Sequence, residues 1–294
     1  MGSAPSSGIA SGGASINLSG EVYGEAFVDW ELKGYWDPNN VESYAGTGIT
    51  YFNLVTGENN LELKNGISLT SGLHGLKSFL CDGTDDYIGA ISSAYGSSFR
   101  VGLGQKWSVC VWVKMGNGSF STIDDGSVGR GNPIVSFGNL YEEGYEIIEK
   151  PMGGGSTPEW GTFIHGIHGS TDRQIDYFGK IPNKTGTWYF VSADQVSEGD
   201  ETLRDKVEVS INGAYTEQFD HEAAFTNPGA ATDMNIGFAW GQYSSTVNSG
   251  YAPEDFQFGE IMVYSGSIGN ARIKQNYLAT RDKYLFDEDF PSKL

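Results

Sequence analysis

Apolar residues in this chain recur mostly with a period of two, in short runs broken by glycine. The strongest run is Lys106-Trp107-Ser108-Val109-Cys110-Val111-Trp112-Val113-Lys114, which is β-branched and aromatic throughout. Pro133–Phe137, Thr187–Ser192, Lys206–Ile211, Met234–Phe238 and Asp255–Tyr264 follow the same style. Such runs, bounded by turn residues, predict β-strands. Lys206–Ile211 alternates charged or hydroxyl residues with aliphatic ones and ends on Asn212-Gly213. That dipeptide predicts a hairpin, because both residues tolerate positive φ. One helix is predicted over 270–283, with Ile273, Tyr277 and Tyr284 at spacings of four and seven and Lys274, Arg281 and Asp282 elsewhere on the wheel. No repeat of solenoid or propeller period is visible. The pattern predicts an all-β fold, an antiparallel sandwich or jelly roll, with an extended N-terminal arm and one short C-terminal helix.

Composition narrows the class. The 294 residues include 42 Gly and 9 Pro, a turn-rich mixture, and 13% are aromatic, which excludes the disorder signature. Two cysteines cannot make a disulfide scaffold. No run approaches the roughly 18 apolar residues of a membrane-spanning helix. Cys81 and Cys110 each sit in an apolar, strand-like run and read as buried free thiols, with a disulfide as the alternative.

The net charge of −19 changes the view of partners. It disfavours nucleic acid and anionic membrane, which would be repelled. Solubility is the plain reading of such a charge, with calcium binding or an acidic docking face as the other two. The first residues, Met1-Gly2-Ser3-Ala4-Pro5-Ser6-Ser7-Gly8, have no basic or apolar region of a signal peptide, so Sec-type secretion is not expected. Residues 1–30 read as a Gly/Ser-rich attachment arm, 31–284 as the β domain and 285–294 as an acidic tail.

Several stretches, in order, resemble a known family. Trp36-Asp37-Pro38-Asn39-Asn40 with Ser43-Tyr44 and Gly46-Thr47-Gly48 looks like its opening segment. Thr50 to Asn65 looks like its aromatic, Leu-containing stretch. Phe79-Leu80-Cys81-Asp82-Gly83-Thr84-Asp85-Asp86-Tyr87-Ile88 is the nearest local match, with Cys81 standing where an aromatic is usual. Trp107–Lys114, Thr187-Trp188-Tyr189, Ile211-Asn212-Gly213, Phe258–Tyr264 and Ile273–Tyr277 complete the order. Together they resemble the concanavalin A-like, laminin-G-like jelly-roll domains of bacteriophage and marine viral structural proteins. The resemblance covers about residues 30–284 and implies the fold more firmly than the function. The arm, Pro5–Ile9 with Ser15–Ser19, resembles segments that begin some phage tail and fibre-associated proteins.

Enzymatic chemistry finds little purchase. Glycosidases of this fold carry paired carboxylates facing the sugar across the scissile bond, and the expected Glu-x-Asp-x-x-Glu is missing. Glu198–Glu201 reads as a solvated loop, Glu25, Asp29 and Glu31 have the wrong spacing, and Glu142, Glu143 and Glu146 fall in a Tyr/Gly-rich stretch that reads as a loop. His74, His165, His168 and His221 lack further metal ligands in defined places and read as loop or edge-strand histidines. The glycine-rich Gly129–Gly131 and Gly153–Ser156 lack the lysine and helix of a phosphate loop. No catalytic residue, cofactor or metal ligand is assigned. Calcium is the one cation the acidic loops would suit, at Asp82, Asp85 and Asp86 or at Asp124 and Asp125, and Asp-Gly turn chemistry is the competing account. Sugar binding needs exposed aromatic platforms. Trp160, Trp240, Tyr243 and Tyr251 are the candidate glycan-contact residues, with Tyr141 and Tyr145 behind them.

The expectation is a non-enzymatic virion structural protein of a tailed bacteriophage, assembled in the host cytoplasm. It would dock on other virion proteins through residues 1–30 and form a homo-oligomer within the particle. Its jelly roll would face outward as a tail-fibre, baseplate-associated or capsid-decoration module, with a host surface glycan as a further partner. The alternative is a carbohydrate-binding lectin module not tied to a particle.

Overall fold

The computed structural model describes residues 28–55, 59–72, 74–90, 106–116, 132–139, 143–152, 159–168, 179–181, 186–197, 206–220, 234–243, 246–251 and 254–285. Two antiparallel sheets face each other. The first runs β14 (Ala214–Asp220), β13 (Lys206–Ile211), β12 (Trp188–Ser197), β7 (Ser108–Lys114), β18 (Gln257–Tyr264), β5 (Lys77–Leu80) and β4 (Ser68–Ser71), with β1 (Leu32–Trp36) paired to β18. The second runs β11 (Gly179–Ile181), β10 (Glu159–His168), β9 (Glu143–Met152), β8 (Asn132–Asn139), β15 (Met234–Ile236), β6 (Tyr87–Ala90), β3 (Leu61–Lys64) and β2 (Thr50–Tyr51). A separate ribbon, β16 (Phe238–Tyr243) with β17 (Thr246–Tyr251), lies beside β8. The helix α1 spans Gly269–Leu285. The described residues are thus all-β and antiparallel with one C-terminal helix, as the periodicity predicts.

The sandwich core is built by strand alternation. Val109, Val111 and Val113 of β7, and Tyr189, Val191 and Ala193 of β12, point between the sheets. They meet Leu61, Leu63, Ile88, Val135, Ile147 and Ile236 of the second sheet. The alternate residues, Cys110, Trp112, Trp188 and Phe190, form a second core beneath α1 with Met262, Tyr264, Ile273 and Tyr284. Both faces of these strands are therefore buried, and their near-continuous apolar character follows from that. Cys81 belongs to the inter-sheet core and Cys110 to the core under α1. Both are free and buried, on opposite faces of one sheet, so they cannot pair.

The helix docks through mixed contacts. Its buried residues are Ile273, Asn276, Thr280 and Tyr284. Tyr284 stacks on Trp112 with ring centroids 4.3 Å apart and planes at 13°. Trp112 Nε1 donates to Thr280 Oγ1 at 2.8 Å. Asn276 accepts from Val28 N at 2.7 Å and donates to the Tyr264 hydroxyl at 2.8 Å, and that hydroxyl donates to Val28 O at 2.9 Å. The start of the described chain is thereby fixed to α1, so residues 28–30, which the sequence reading places in the arm, pack on the domain. Asp194 of β12 caps the helix, accepting from Gly269 N at 2.8 Å and Ser267 Oγ at 2.9 Å, which suits a carboxylate at a helix N-terminus.

The details depart from the sequence reading at three places. The predicted Met234–Phe238 strand breaks at Gly237, whose φ is 77°, so β15 joins the second sheet and β16 starts the ribbon. Glu143 and Glu146 lie on β9, a ten-residue strand, not in a loop, and β10 beside it was also missed. Gly144, Pro151, Gly161 and Gly166 interrupt the strand pattern there, since both residue types are depleted in strands. The Asn212-Gly213 hairpin forms as predicted, with φ of 52° and 68°.

Two substitutions test the helix docking. Glu260 N donates to the Tyr284 hydroxyl at 2.7 Å, so Tyr284→Phe strands a buried donor and should cost about 1–3 kcal/mol in urea unfolding. A Cβ added at Gly259 would lie 2.5 Å from the same hydroxyl. Gly259→Ala should therefore destabilise by about 1–3 kcal/mol, with the stacked ring displaced. A neutral result for both would mean α1 does not hold this seat.

Candidate functional site

The four candidate glycan-contact residues fall on two elements. Trp160 is on β10, in register with Pro151 on one side and Ile181 on the other. Trp240 and Tyr243 are on β16, opposite Ser249 and Thr246, and Tyr251 ends β17 opposite Phe238. The fold thus brings Trp240, Tyr243 and Tyr251 onto one ribbon and leaves Trp160 on a strand of the second sheet. Tyr145 lies on β9, while Tyr141 is outside the described residues. His165 and His168 lie on β10, in register with Glu146 and Glu143. His74 is exposed in the turn between β4 and β5. His221, Glu25, Glu142, Glu198–Glu201, Asp124, Asp125 and both glycine-rich loops lie outside the described residues.

The structure also assembles a buried polar group that the sequence reading missed. Glu260, on β18, is 1% exposed. Lys283, near the end of α1, donates to Glu260 Oε1 at 2.5 Å and to Asp37 Oδ2 at 3.1 Å. Asp37 follows β1, and its Oδ1 accepts from Asn39 N at 2.8 Å. Burial pushes Glu260 up to about 7, with Asp37 adding to the rise and Lys283 opposing it. Burial alone would lower Lys283, and Glu260 and Asp37 outweigh it, holding the amine above its usual range. The sequence does carry a signal for this group. Glu260 stands inside Phe-Gly-Glu-Ile-Met-Val-Tyr, a charge within an apolar strand, which demands a partner when buried.

The Asp82–Asp86 loop joins β5 of the first sheet to β6 of the second, at the rim of the sandwich. One carboxylate oxygen from each of Asp82, Asp85 and Asp86 lies within 4.8 Å of the others. Asp82 and Asp85 are exposed and Asp86 is buried. Asp82 Oδ1 accepts from Thr84 N at 2.7 Å, which is the expected Asx-turn chemistry. Asp86 Oδ2 accepts from Asp82 N at 3.1 Å. Burial pushes Asp86 up, and the charges of Asp82 and Asp85 add to it.

No protein-family model matches the chain, and no curated protein matches it significantly. Solved structures do share its fold. Domain 4 of AbnA, an extracellular GH43 arabinanase from Geobacillus stearothermophilus, seen in complex with arabinotriose, is 18% identical with a TM-score of 0.51. The match covers 85% of this chain and 98% of that domain. The binding domain of Paraclostridial Mosquitocidal Protein 1 is 12% identical with a TM-score of 0.55, over 84% of this chain and 52% of that one. Trypanosoma rangeli sialidase in complex with the inhibitor DANA is 11% identical with a TM-score of 0.53, over 88% of this chain and 34% of that one. This chain therefore spans nearly all of the arabinanase domain, about half of the toxin domain and a third of the sialidase. At these identities the likeness is one of fold.

The Glu260 group sets a pH dependence. A carboxyl near 4.5 when unfolded and near 7 when folded binds an extra proton in the folded state between those values. Its contribution is fullest below about pH 4.5 and is lost as pH rises through about 7. Asp194 and Glu208 are raised too, chiefly by burial, and act in the same direction. The melting temperature should therefore fall between about pH 5 and pH 7.5, and Glu260→Gln should flatten that fall. Parallel curves for the two proteins in calorimetry would remove Glu260 from the account.

Proposed function

We propose that the chain is a non-enzymatic carbohydrate-binding domain with a jelly-roll topology, displayed on the virion of a tailed bacteriophage. The observation that carries the carbohydrate reading is the fold likeness to the arabinanase domain seen with arabinotriose, which extends over 98% of that domain. The ribbon supports it, because Trp240 and Tyr251 take register positions on one face of two adjacent strands, with Tyr243 at a position on the other face. Aromatic faces are the usual platform for sugar rings, since they offer apolar area beside polar groups. Over β7, β12 and β18 the first sheet's outer face is covered by α1, so the recognition surface lies elsewhere, on the second sheet, the ribbon or the rims. The virion setting rests on the resemblance of Trp36–Gly48, Phe79–Ile88 and Phe258–Tyr264 to phage structural domains. Residues 1–27 then serve as the attachment arm, leaving the domain at Val28 beside α1.

The non-enzymatic reading is supported by the employment of the buried carboxylates. Asp194 caps a helix, and Glu260 and Asp37 share Lys283. None of these is part of an open acid–base pair across a cleft.

A glycan array that includes arabino-oligosaccharides tests the binding reading. The full chain should give a defined hit, weakened about tenfold or more by Trp240→Ala with an unchanged circular dichroism spectrum. A blank array overturns the carbohydrate reading. Gold-labelled antibody on density-gradient fractions of source lysate tests the setting: label on phage particles supports it, and protein found only free in solution overturns it.

A further inference from the structure

The chain enters β1 through a turn whose backbone is held on both sides. Val28 N donates to Asn276 Oδ1 at 2.7 Å, and the Tyr264 hydroxyl donates to Val28 O at 2.9 Å. Leu32 N closes the turn on Asp29 O at 3.2 Å, and Ser265 N donates to Glu31 O at 3.0 Å. Glu31 has a φ of 59°, in the left-handed region that a non-glycine residue rarely adopts. Its Oε2 accepts from Ser265 Oγ at 2.7 Å, which holds the side chain on the segment joining β18 to α1. A Cβ added at Gly266 would meet Glu31 Cγ at 3.5 Å and Trp30 Cη2 at 3.8 Å, so both side chains lie along that segment. Because Leu32 pairs with Tyr264, the turn and this segment meet at one rim of the first sheet.

Trp30, inside the turn, is 47% exposed, whereas Trp36, Trp107, Trp112 and Trp188 are buried. Arg272, in the first turn of α1, lies over its ring with Cζ 4.5 Å from the centroid. A surface cation–π pair holds two side chains together only weakly. Here it also leaves the polar capacity of the pair unspent. Among the described residues the Arg272 guanidinium makes no ion pair and no hydrogen bond, and Trp30 Nε1 has no acceptor. Glu31 Oε1 and the exposed Asp29 carboxylate have no donor among them either. A guanidinium stacked on a ring still has its in-plane donors free. An aromatic surface, a fork of donors and two carboxylates are thus presented together on a backbone already fixed.

We propose that this rim is a saccharide-contact site, at which an uncharged sugar ring packs on Trp30 and its hydroxyls bond to Arg272, Glu31 and Asp29. With the carbohydrate reading above as its basis, the site adds a second contact surface to the ribbon. A sugar ring offers C–H groups to an aromatic surface and hydroxyls that both donate and accept. Trp30 meets the first need, and the mixed donors and acceptors around it meet the second. Charge selects among sugars. Two carboxylates flank Trp30 against one guanidinium, on a chain of net charge −19, so an acidic sugar is repelled. Little ordering is needed on binding, because the turn is held before the ligand arrives.

The experiment is a glycan array of neutral and acidic oligosaccharides probed with the full chain, followed by calorimetric titration with the strongest neutral hit. Trp30→Ala should weaken binding at this site about tenfold or more, removing one saccharide from the number bound per chain. Trp30→Tyr should keep most of the binding, because an aromatic surface is retained. Arg272→Ala should weaken it about fivefold or more. Arg281→Ala, further along α1, should leave binding unchanged. Trp30 and Arg272 are exposed, so their variants should keep the circular dichroism spectrum of the parent. Neutral hits that Trp30→Ala leaves unaltered in affinity and stoichiometry overturn this site while the carbohydrate reading stands. Hits confined to acidic sugars overturn the class of ligand proposed. A blank array overturns the carbohydrate reading and this site with it.

Discussion

The seat of α1 on the first sheet is the contact on which the rest of the structure depends. Without it, Trp112, Trp188, Phe190 and Met262 would form an exposed apolar face on the sandwich. Burying each such side chain is worth about 1.5–3 kcal/mol, so the helix is part of the core and not an appendage. Sequence order explains how this becomes possible. The last strand, β18, runs through the centre of the first sheet between β7 and β5, and the helix that follows folds back over strands laid down much earlier. The sheet's central strands are therefore committed on both sides, and their contacts are among the most distant in the chain.

That seat imposes polar obligations, and the fold meets them with long-range partners. The helix N-terminus needs an acceptor, and it comes from Asp194 on β12, because α1 has no acidic residue in its own first turn. The backbone N–H of Glu260 at the β18 irregularity needs one, and Tyr284 provides it. The Glu260 side chain needs a cation, and Lys283 provides it from the last turn of the helix. A buried ion pair contributes little net stability by itself, because desolvation offsets attraction. Removing one partner is far more costly than the pair is worth, so the network works as a register device. Any other rotation of α1 would leave Glu260 without its charge partner and Tyr264 without Asn276.

The sequence made the first sheet legible and concealed much of the second. β7, β12 and β18 are read directly from β-branched and aromatic runs, because two-sided burial keeps most of their positions apolar, and β13 is read from its period-two alternation. The Asn212-Gly213 hairpin and the extent of α1 are local signals and were equally clear. The strands β9 and β10 were not, since glycine and proline interrupt them and their charged residues imitate a loop. The inward turn of Lys283 was invisible for a different reason. Helical periodicity identifies an apolar stripe, and here the buried stripe carries Asn276 and Thr280, with Lys283 reaching in beside it. The candidate sites divide the same way. Spacing placed Asp82, Asp85 and Asp86 in one loop, but only the fold reveals that Asp86 is buried at a sheet crossing. The sequence groups Trp240 and Tyr243 in one run with Tyr251, and β16–β17 pairing places all three on one ribbon.

These facts together constrain where the domain can recognise anything. Among the described residues the inter-sheet space is packed with side chains such as Tyr51, Phe79, Trp36 and Phe258. The outer face of the first sheet is occupied by α1 over β7, β12 and β18. What remains among the described residues is the β4–β5 edge, the second sheet, the ribbon and the rims. These differ in rigidity, because a rim is only as fixed as the turns that form it, and turns lack the continuous ladders of a sheet. In this fold one rim is braced by Asn65 against the Asp85 backbone and by Cys81 against the 255–256 segment. The aromatic ribbon would depend for its own rigidity on β8, the strand it lies beside. A recognition surface assembled from these parts costs the sandwich nothing in core packing, and such loops and edges can vary while the two cores stay constant.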